Sequence, residues 1–324
     1  MKHPHFVVTG GTSFIGRHLV RRLLERGGEI TILTRDITKV PEEWHGRVEM
    51  IEGDVRKKNS LLKLPFEDSI LFHLAGEIQK ESLYFDTNVT GTKNIMDLAF
   101  KEKIRHFIYL SSVGVFGYPT QNRIGEEVSC HPIHDYEKSK YEGEKILVHS
   151  FENYHVPATI LRPSTVFGEG SKNESFLGWM KAIRNRMFRF IGENAYANYI
   201  YVGDLVEALI LVSKANLSGK EVFIVNDAKP MREFINAASE ILRVQIPQYS
   251  IPQWIALLGA NILKPLTKMF GNHFPLTVSR VKALTDRRIF STEKIEKELG
   301  FKPIFGIVEG LKRTIQWYEK KGLL

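Results

Sequence analysis

The chain has 324 residues, of which 43% are hydrophobic and 25% charged, a composition typical of a globular protein with a large buried core. The formal charge is +8, but the 45 basic residues are spread among 37 acidic ones, so the charge predicts no nucleic-acid partner. A single cysteine, Cys130, excludes an internal disulfide and favours a reducing compartment, for which we expect the cytoplasm.

Neither a membrane span nor a metal site is predicted. No run of about 20 uninterrupted apolar residues is available to cross a bilayer, and residues 1–5 lead directly into an apolar segment without the pattern of a signal peptide. Cys130 lies beside His131 and His134, but one thiol and two imidazoles in a loop fall short of a structural zinc site. We therefore predict a free thiol and no bound metal.

The first half of the chain alternates short apolar segments with amphipathic helical patterns. Parallel strands joined by helical crossovers give this alternation. The predicted strands are residues 6–8, 30–33, 48–51, 70–73, 107–110, 158–161 and 222–225. The predicted helices are one that ends at Gly27 and Gly28, and two near 88–103 and 136–152. The sequence therefore predicts an α/β fold with a doubly wound parallel sheet.

A glycine-rich turn, residues 10–16, connects the first strand to the first helix. In a doubly wound sheet this turn binds dinucleotide phosphates at the helix N-terminus. Gly10 and Gly11 would let the backbone approach the pyrophosphate, and Gly16 would let the helix pack closely. The turn therefore predicts a dinucleotide cofactor.

The end of the second strand bears on which dinucleotide is bound. NAD sites carry a carboxylate there for the ribose 2′-hydroxyl, whereas an arginine accommodates the 2′-phosphate of NADP. Thr34 stands at the expected acidic position and Arg35 follows it, which favours NADP(H). NAD(H) remains the alternative, with Asp36 on the ribose.

Tyr136 and Lys140 are spaced i and i+4, so they share one face of a helix. A nearby cation lowers the pKa of a phenol and lets it donate and accept protons near neutrality. Ser112 follows the strand at 107–110 and would hydrogen-bond the substrate oxygen. The three residues indicate acid/base chemistry on an alcohol or ketone.

The same spacing recurs at Tyr141 and Lys145. Five residues turn a helix by about 500°, so the two pairs face in different directions and cannot serve one site. The second pair encloses the helix-weakening Gly143. We therefore assign catalysis to Tyr136 and Lys140, and predict an ordinary surface pair at the second copy.

Taken together, these motifs resemble the extended short-chain dehydrogenase/reductase family of NAD(P)-dependent epimerases, dehydratases and hydroxysteroid dehydrogenases. The resemblance covers nearly the whole chain. It is carried by the glycine turn and by segments 53–55, 73–76, 88–92, 110–112, 136–140, 161–163 and 199–204. Segments 162–170, 223–227 and 290–303 are most similar to the 3β-hydroxysteroid dehydrogenase and dihydroflavonol reductase branch.

The resemblance implies an oxidoreductase that transfers hydride between nicotinamide and a secondary alcohol or ketone, with Ser112, Tyr136 and Lys140 as its catalytic residues. A sugar-nucleotide epimerase and a non-catalytic dinucleotide-binding regulator are the alternatives. Ser13 stands where the family usually has glycine. The implied cofactor contacts are Gly10, Thr12, Ser13, Phe14, Ile15, Gly16, Arg35, Asp54, Val55, Leu74, Ala75, Gly76, Asn88, Tyr136, Lys140 and Pro163.

Two positions bear on the small-molecule substrate. Dehydratases of the family place an Asp-Glu pair directly after the catalytic hydroxyl residue, where this chain has Val113 and Gly114. Epimerases often carry asparagine where this chain has Thr165. The first argues against sugar-nucleotide dehydration. Thr165, together with an apolar helical face at 251–262, favours a largely apolar ring alcohol or ketone. A nucleotide-sugar substrate stays an alternative, because four basic residues are candidate partners for its diphosphate: Lys181, Arg184, Arg186 and Arg189.

The family architecture implies two interleaved units. Residues 1–165, completed by 198–226, would bind the dinucleotide, whereas 166–197 and 227–324 would form a smaller substrate lobe. A homodimer is left open.

An apolar helical face is predicted in this lobe. Its members are Ile251, Trp254, Ile255, Leu258 and Ile262. We predict that this face packs in the core of the lobe, with a substrate wall or a peripheral membrane contact as alternatives.

Overall fold

The computed structural model describes residues 4–154, 156–215, 217, 219–262 and 277–324. Its strands are β1 (His5–Thr9), β2 (Glu29–Thr34), β3 (Glu49–Glu52), β4 (Ile70–His73), β5 (His106–Leu110), β6 (Arg123–Ile124), β7 (Ala158–Pro163), β8 (Thr165–Phe167), β9 (Phe190–Ile191), β10 (Tyr196–Ala197), β11 (Tyr199–Tyr201), β12 (Lys220–Val225), β13 (Lys229–Pro230), β14 (Ser250–Ile251) and β15 (Ile289–Phe290). Its α-helices are α1 (Phe14–Glu25), α2 (Gly91–Lys101), α3 (Asp135–Tyr154), α4 (Glu174–Arg184), α5 (Val202–Lys214), α6 (Met231–Ile241), α7 (Gln253–Ile262), α8 (Val278–Leu284), α9 (Glu293–Leu299) and α10 (Gly306–Lys320).

Seven parallel strands form the central sheet, in the order β3-β2-β1-β4-β5-β7-β12. Every strand predicted from an apolar run lies in this sheet, because strands covered on both faces need apolar side chains on both sides. The strand order reverses between β1 and β4, which creates a crevice at the carboxyl ends of these strands. The predicted doubly wound α/β fold is confirmed.

Helices cover both faces of the sheet. On one face, Leu19 and Val20 of α1 pack with Leu205 and Leu209 of α5 in one buried cluster. On the other face, the apolar sides of α2 and α3 join a second cluster, which includes Ile95 and Leu147. This burial fixes the helix N-termini and the face of α3 relative to the strand ends.

A separate aromatic cluster lies beyond the sheet. The Phe167 and Phe176 rings stack with centroids 5.0 Å apart, and so do the rings of Tyr199 and Phe234. These rings join β8, α4, β11 and α6, and α10 packs against them through Ile307, Leu311 and Ile315. The predicted boundaries of the two interleaved units stay a prediction.

Asp204 attaches the last helix to the sheet. The first N–H groups of any helix have no partner within it, and at α10 a buried carboxylate supplies one. Asp204 Oδ1 accepts from the backbone N–H of Ile304 at 2.7 Å and of Phe305 at 2.9 Å, and Oδ2 accepts from Gly306 at 2.9 Å. Residues about one hundred positions apart therefore form one junction.

The predicted core packing of the apolar face of α7 is wrong. The small residues Ala256 and Ala260 are the buried ones on this helix, whereas Ile251 is half-buried. The remaining four side chains of that face are exposed by 42–68%: Trp254, Ile255, Leu258 and Ile262. Periodicity identified an apolar face correctly, but no described element covers it.

Candidate active site

The glycine turn lies directly against the end of β4. Gly10 has φ +72°, and a Cβ there would lie 2.8 Å from the backbone nitrogen of Ala75. A Cβ on Gly16 would collide with the carbonyl oxygen of Gly10. Only glycine satisfies both positions, since one needs a left-handed backbone and the other leaves no space for a side chain. The turn and residues 74–76 are thereby held together at the carboxyl edge.

Ser13, which stands where the family usually has glycine, has a structural role. Its Oγ accepts a hydrogen bond from the backbone N–H of Gly16 at 3.2 Å, so it is the N-cap of α1. The first turn of α1 carries no acidic residue. The positive end of the helix dipole therefore faces the turn without a competing carboxylate, as a phosphate site requires.

The neighbouring predicted cofactor residues connect the turn to the loop after β8. Thr12, Phe14 and Ile15 are all partly buried. The Phe14 ring meets His18 edge-on with centroids 5.7 Å apart, and His18 Nε2 lies 2.8 Å from the carbonyl oxygen of Glu169. The loop at 168–170 is thus held beside the N-terminus of α1.

Arg35 and Asp36 are placed differently. The Arg35 side chain is exposed, and within the described part of the chain it forms no hydrogen bond or close ion pair. Asp36 instead caps a short turn, with Oδ1 accepting from the Thr38 N–H at 3.0 Å and Oδ2 lying 3.2 Å from Lys39 Nζ. The guanidinium is available to a ligand, while the carboxylate is engaged locally.

The other predicted cofactor residues line the ends of neighbouring strands. Asp54 is paired with Arg56, whose hydrogen bonds lower the pKa of that carboxyl, with a further contribution from the charge of Arg35. Val55, Leu74 and Pro163 are buried, and Ala75 is partly buried. They contribute shape rather than charge.

Asn88 holds the turn at Gly76 and Glu77 against α3. Its Oδ1 accepts from the Glu77 N–H at 2.8 Å, and its Nδ2 donates to the Glu77 carbonyl at 3.1 Å and to Ser139 Oγ at 2.9 Å. Both amide hydrogens are therefore used within the protein. The predicted direct cofactor contact stays a prediction, and in this structure the side chain positions its neighbours.

Ser112 follows β5 and begins a single helical turn, Val113–Phe116. Its Oγ accepts from the Gly114 N–H at 3.1 Å, which leaves the hydroxyl hydrogen free to donate elsewhere. A Cβ on Gly114 would touch the Glu137 side chain at 3.0 Å. The turn that carries Ser112 is thus seated against the first turn of α3, where Tyr136 lies.

Tyr136 presents a protonated phenol. Its hydroxyl forms no hydrogen bond with any residue that the structure describes, and its ring meets Tyr84 edge-on with centroids 5.8 Å apart. Burial, followed by the charges of Tyr84 and Glu137, raises the pKa of Tyr136 to about 12. The phenol is therefore a proton donor at neutral pH until a ligand or cation changes its surroundings.

Lys140 is a buried cation one helical turn beyond Tyr136. It is 4% exposed, and its Nζ lies 4.1 Å from the centroid of the Tyr109 ring. Nζ donates no hydrogen bond within the described residues. Burial lowers the pKa of Lys140 to about 7, against the opposing effect of Glu144. A buried ammonium without an acceptor suits the hydroxyl oxygens of a bound ligand, so the residues present fit a dinucleotide at this edge.

The lowered pKa of Lys140 predicts a pH-dependent stability. Between about pH 7 and about pH 10.4 the unfolded chain binds a proton that the folded protein lacks, so the free energy of unfolding rises with pH, by at most about 1.4 kcal/mol per unit. Lys140→Met removes this contribution. Urea unfolding measures the free energy of unfolding of the parent protein and of Lys140→Met from about pH 7 to about pH 9.5. The difference between the two free energies should change steadily with pH.

Lys138→Met is the matched control, since Lys138 is an exposed lysine on the same helix. The difference in free energy of unfolding between Lys138→Met and the parent protein should stay constant over the same pH range. A constant difference for Lys140→Met as well would contradict the lowered pKa.

Two features of the site were not predicted from the sequence. Glu144 and Arg162 form an almost fully buried ion pair, with Nη2 to Oε2 at 2.6 Å and Nε to Oε1 at 3.0 Å. Glu144 lies one turn beyond Lys140, so its charge supports the protonated lysine. The second feature that was not predicted is the packing of Tyr84 on Tyr136. An aromatic residue between two motifs gives no sequence signal of this contact.

The second Tyr-Lys copy lies elsewhere on the helix. Lys145 Nζ sits 4.8 Å from the centroid of the Tyr141 ring and pairs with Glu142. Tyr141 packs against the small cluster around Val115. Gly143 is needed because a Cβ there would collide with the Tyr109 hydroxyl, so this glycine lets α3 approach the sheet.

Among the described residues, no group of three or more His, Cys, Asp or Glu side chains could hold a metal ion. Cys130 is a partly buried free thiol. No helix in the described ranges combines the length and apolar character needed to span a bilayer.

Comparison with a family model decides the wider assignment. The model of the NAD dependent epimerase/dehydratase family matches residues 6–226, which contain the glycine turn and the Ser112, Tyr136 and Lys140 set. The chain belongs to this family. The predicted resemblance to extended short-chain dehydrogenases/reductases is confirmed, and the protein is an enzyme of that kind.

Two of the similar proteins are named for different reactions. The chain is 28% identical to 3β-hydroxysteroid-dehydrogenase/decarboxylase isoform 2 of Arabidopsis thaliana over 95% of this chain, and spans only 61% of that protein's length. It is 27% identical to N-acetyl-α-D-glucosaminyl-diphospho-ditrans,octacis-undecaprenol 4-epimerase of Escherichia coli O157:H7, over 97% of this chain and 95% of that protein. Steroid dehydrogenases and sugar epimerases are therefore both similar to it.

A solved structure supports the fold. The UDP-glucuronic acid 4-epimerase of Bacillus cereus in complex with NAD superimposes with a TM-score of 0.74 at 17% identity, and covers 98% of this chain and 99% of its own. At this identity the similarity concerns the fold alone.

Proposed function

We propose that the protein is an NAD(P)-dependent oxidoreductase that interconverts a secondary alcohol and a ketone, with Ser112, Tyr136 and Lys140 as its catalytic residues. The observation that carries this proposal is the free hydrogen-bonding capacity of all three. The phenol and the ammonium have no acceptor within the described chain, and Ser112 Oγ retains its hydrogen for a ligand. Such unused donors are what a ketone oxygen and ribose hydroxyls require.

The chemistry of reduction follows from these positions. A bound nicotinamide cofactor supplies the hydride that the carbonyl carbon receives. Tyr136 gives its proton to the carbonyl oxygen, and Ser112 donates a hydrogen bond to the same oxygen. Lys140 stabilises the phenolate that remains. Acceptor oxygens of a bound cofactor near its Nζ would favour the charged form and would thereby raise the pKa of Lys140.

A ring ketone or alcohol is the substrate class we propose. Val113 and Gly114 form the turn after Ser112, so this turn carries no carboxylate to support dehydration. The similarity to hydroxysteroid dehydrogenases supports the same class. The exposed α7 face gives no support for an apolar pocket wall.

Epimerisation is the second candidate, since the similar E. coli epimerase is matched over nearly its whole length. The basic residues that kept this reading open are held in no described pocket for a diphosphate. Lys181, Arg184 and Arg186 are exposed, and Arg189 donates to the carbonyls of Arg186 and Phe188.

One assay separates the two candidates. Steroid-like and flavonoid-like ketones and nucleotide sugars would be offered with reduced cofactor, and both cofactor absorbance and product configuration followed. Net cofactor oxidation with a ketone supports the proposal. Inversion of a nucleotide sugar without net cofactor change, and no reaction with ketones, would reject it.

We also propose that NADP(H) is preferred. The exposed Arg35 guanidinium and the engagement of Asp36 with its own turn support this choice. NADPH should bind more tightly than NADH by about 1–3 kcal/mol, through charge-assisted hydrogen bonds to the 2′-phosphate, and Arg35→Ala should remove most of that difference. Calorimetry at fixed salt measures both affinities.

The control for this prediction is Arg47→Ala, which removes an exposed arginine. Arg47 precedes the amino end of β3, whereas Arg35 follows the carboxyl end of the parallel neighbour β2. This variant should leave the NADPH preference unchanged. Equal or tighter NADH binding by the unaltered protein would show that the cofactor assignment is wrong.

A further inference from the structure

The exposed apolar side of α7 continues onto the neighbouring loop. β14, which precedes α7, pairs in parallel with β9, and Arg189 Nε donates to the Tyr249 hydroxyl at 3.2 Å. This pairing brings the loop after α4 next to the start of α7. We call the resulting area the α7 surface; its exposed members are Met187, Tyr249, Trp254, Ile255, Leu258 and Ile262.

Exposed apolar residues scattered singly are ordinary, whereas a contiguous group on one surface indicates a contact. Four members occupy one side of a single helix, and the other two lie on the segments joined by β9 and β14. Trp254 is 68% exposed and Ile262 is 67% exposed. Burying side chains of this size is favourable, so an occupant that removes them from water would be stabilised by this surface.

The two sequence stretches that form the α7 surface carry charge of one sign. The adjoining loop and the last turn of α4 carry four basic residues, called here the basic rim: Lys181, Arg184, Arg186 and Arg189. The sequence contains no Asp or Glu between Glu174 and Glu193, and none between Glu240 and Asp286, although the chain has 37 acidic residues in all. These two stretches are the ones that β9 and β14 bring together.

We propose that the α7 surface docks the enzyme peripherally on an anionic lipid bilayer. Tryptophan and aliphatic side chains enter the boundary between headgroups and acyl chains, and a basic rim attracts anionic headgroups. A second copy of the chain is a poorer occupant, because a two-fold contact places the same surface opposite itself and brings the two basic rims together. This docking is independent of the reaction at Tyr136.

The test is sedimentation of the full chain with vesicles of equal parts phosphatidylglycerol and phosphatidylcholine, compared with phosphatidylcholine alone. Binding to the anionic vesicles is expected to exceed binding to the neutral ones by roughly tenfold or more, and to fall as salt is raised. The Trp254→Ser/Leu258→Ser variant removes the apolar contact, and the Lys181→Gln/Arg184→Gln variant removes two rim charges. Each should lower the fraction bound by roughly tenfold.

The matched control is Leu62→Ser/Val308→Ser, which removes two equally exposed apolar side chains outside the α7 surface. It should bind vesicles as the parent protein does. An unchanged thermal unfolding temperature shows that each variant is folded. This is the expected result, because all the substituted side chains are exposed. Trp254→Phe provides a second measurement, since it should keep the docking and abolish the tryptophan blue shift on anionic vesicles.

Several outcomes would overturn the proposal. They are no binding to anionic vesicles, equal binding to both vesicle types, and equal loss in the control variant. Analytical ultracentrifugation tests the competing occupant: a parent dimer that Trp254→Ser/Leu258→Ser converts to a monomer, without vesicle binding, would assign the surface to a second copy.

Discussion

Tyr136→Phe is expected to lower the turnover number by about 10² or more, while cofactor affinity changes by no more than a few-fold. The loss of one hydroxyl removes the proton donor, and general acid/base catalysis contributes on this scale. The Tyr136 ring packs on Tyr84, and phenylalanine preserves that contact, so folding should not change. Steady-state kinetics with the best ketone substrate, together with calorimetry of cofactor binding, measure the two effects.

Tyr141→Phe is the control within the same helix. Its ring lies under Lys145 in a surface pair, and its hydroxyl has no part in the proposed chemistry. Turnover should remain close to that of the parent enzyme. A larger loss for Tyr141→Phe than for Tyr136→Phe would show that the wrong Tyr-Lys pair was chosen.

Glu144→Ala is expected to destabilise the protein by about 3–5 kcal/mol, because it leaves the buried Arg162 guanidinium without its partner. The two side chains are 3% and 7% exposed, so water cannot replace the lost carboxylate. Urea unfolding measures the change in the free energy of unfolding. The same variant should lower the pKa of Lys140 further, since Glu144 favours its charged form.

Two further variants separate pairing from packing. Glu142→Ala breaks the exposed pair with Lys145 and should cost no more than about 1 kcal/mol. Glu144→Met/Arg162→Met replaces the buried pair by apolar side chains and should recover most of the lost stability. If the double variant were as unstable as Glu144→Ala, the cost would not arise from an unpaired guanidinium.

The sequence was sufficient for the features that depend on local pattern. Apolar runs located the seven strands, and the glycine turn located the crevice, because backbone conformation and close packing restrict residues 10 and 16 to glycine. The i, i+4 spacing correctly placed Tyr136 and Lys140 on one helix. Their catalytic role stays a prediction, as does the cofactor set.

The remaining features depend on contacts that no local pattern encodes. Glu144 and Arg162 meet only when α3 packs beside β7. Asp204 meets residues 304–306 across about one hundred residues of sequence. For α7, apolar periodicity shows which side of a helix is apolar, but not whether another element covers it. The prediction of core packing failed for that reason.

The junction at Asp204 makes the start of α5 depend on backbone that is synthesised about one hundred residues later. A carboxylate at the start of α5, beside the central sheet, obtains its donors from backbone that leaves the ribosome only after residue 303. Until then a group placed for burial has no partner, and the aromatic cluster lacks the helix that closes it. The hydrogen bonds of Asp204 therefore couple the stability of the early part of the chain to that of the late part.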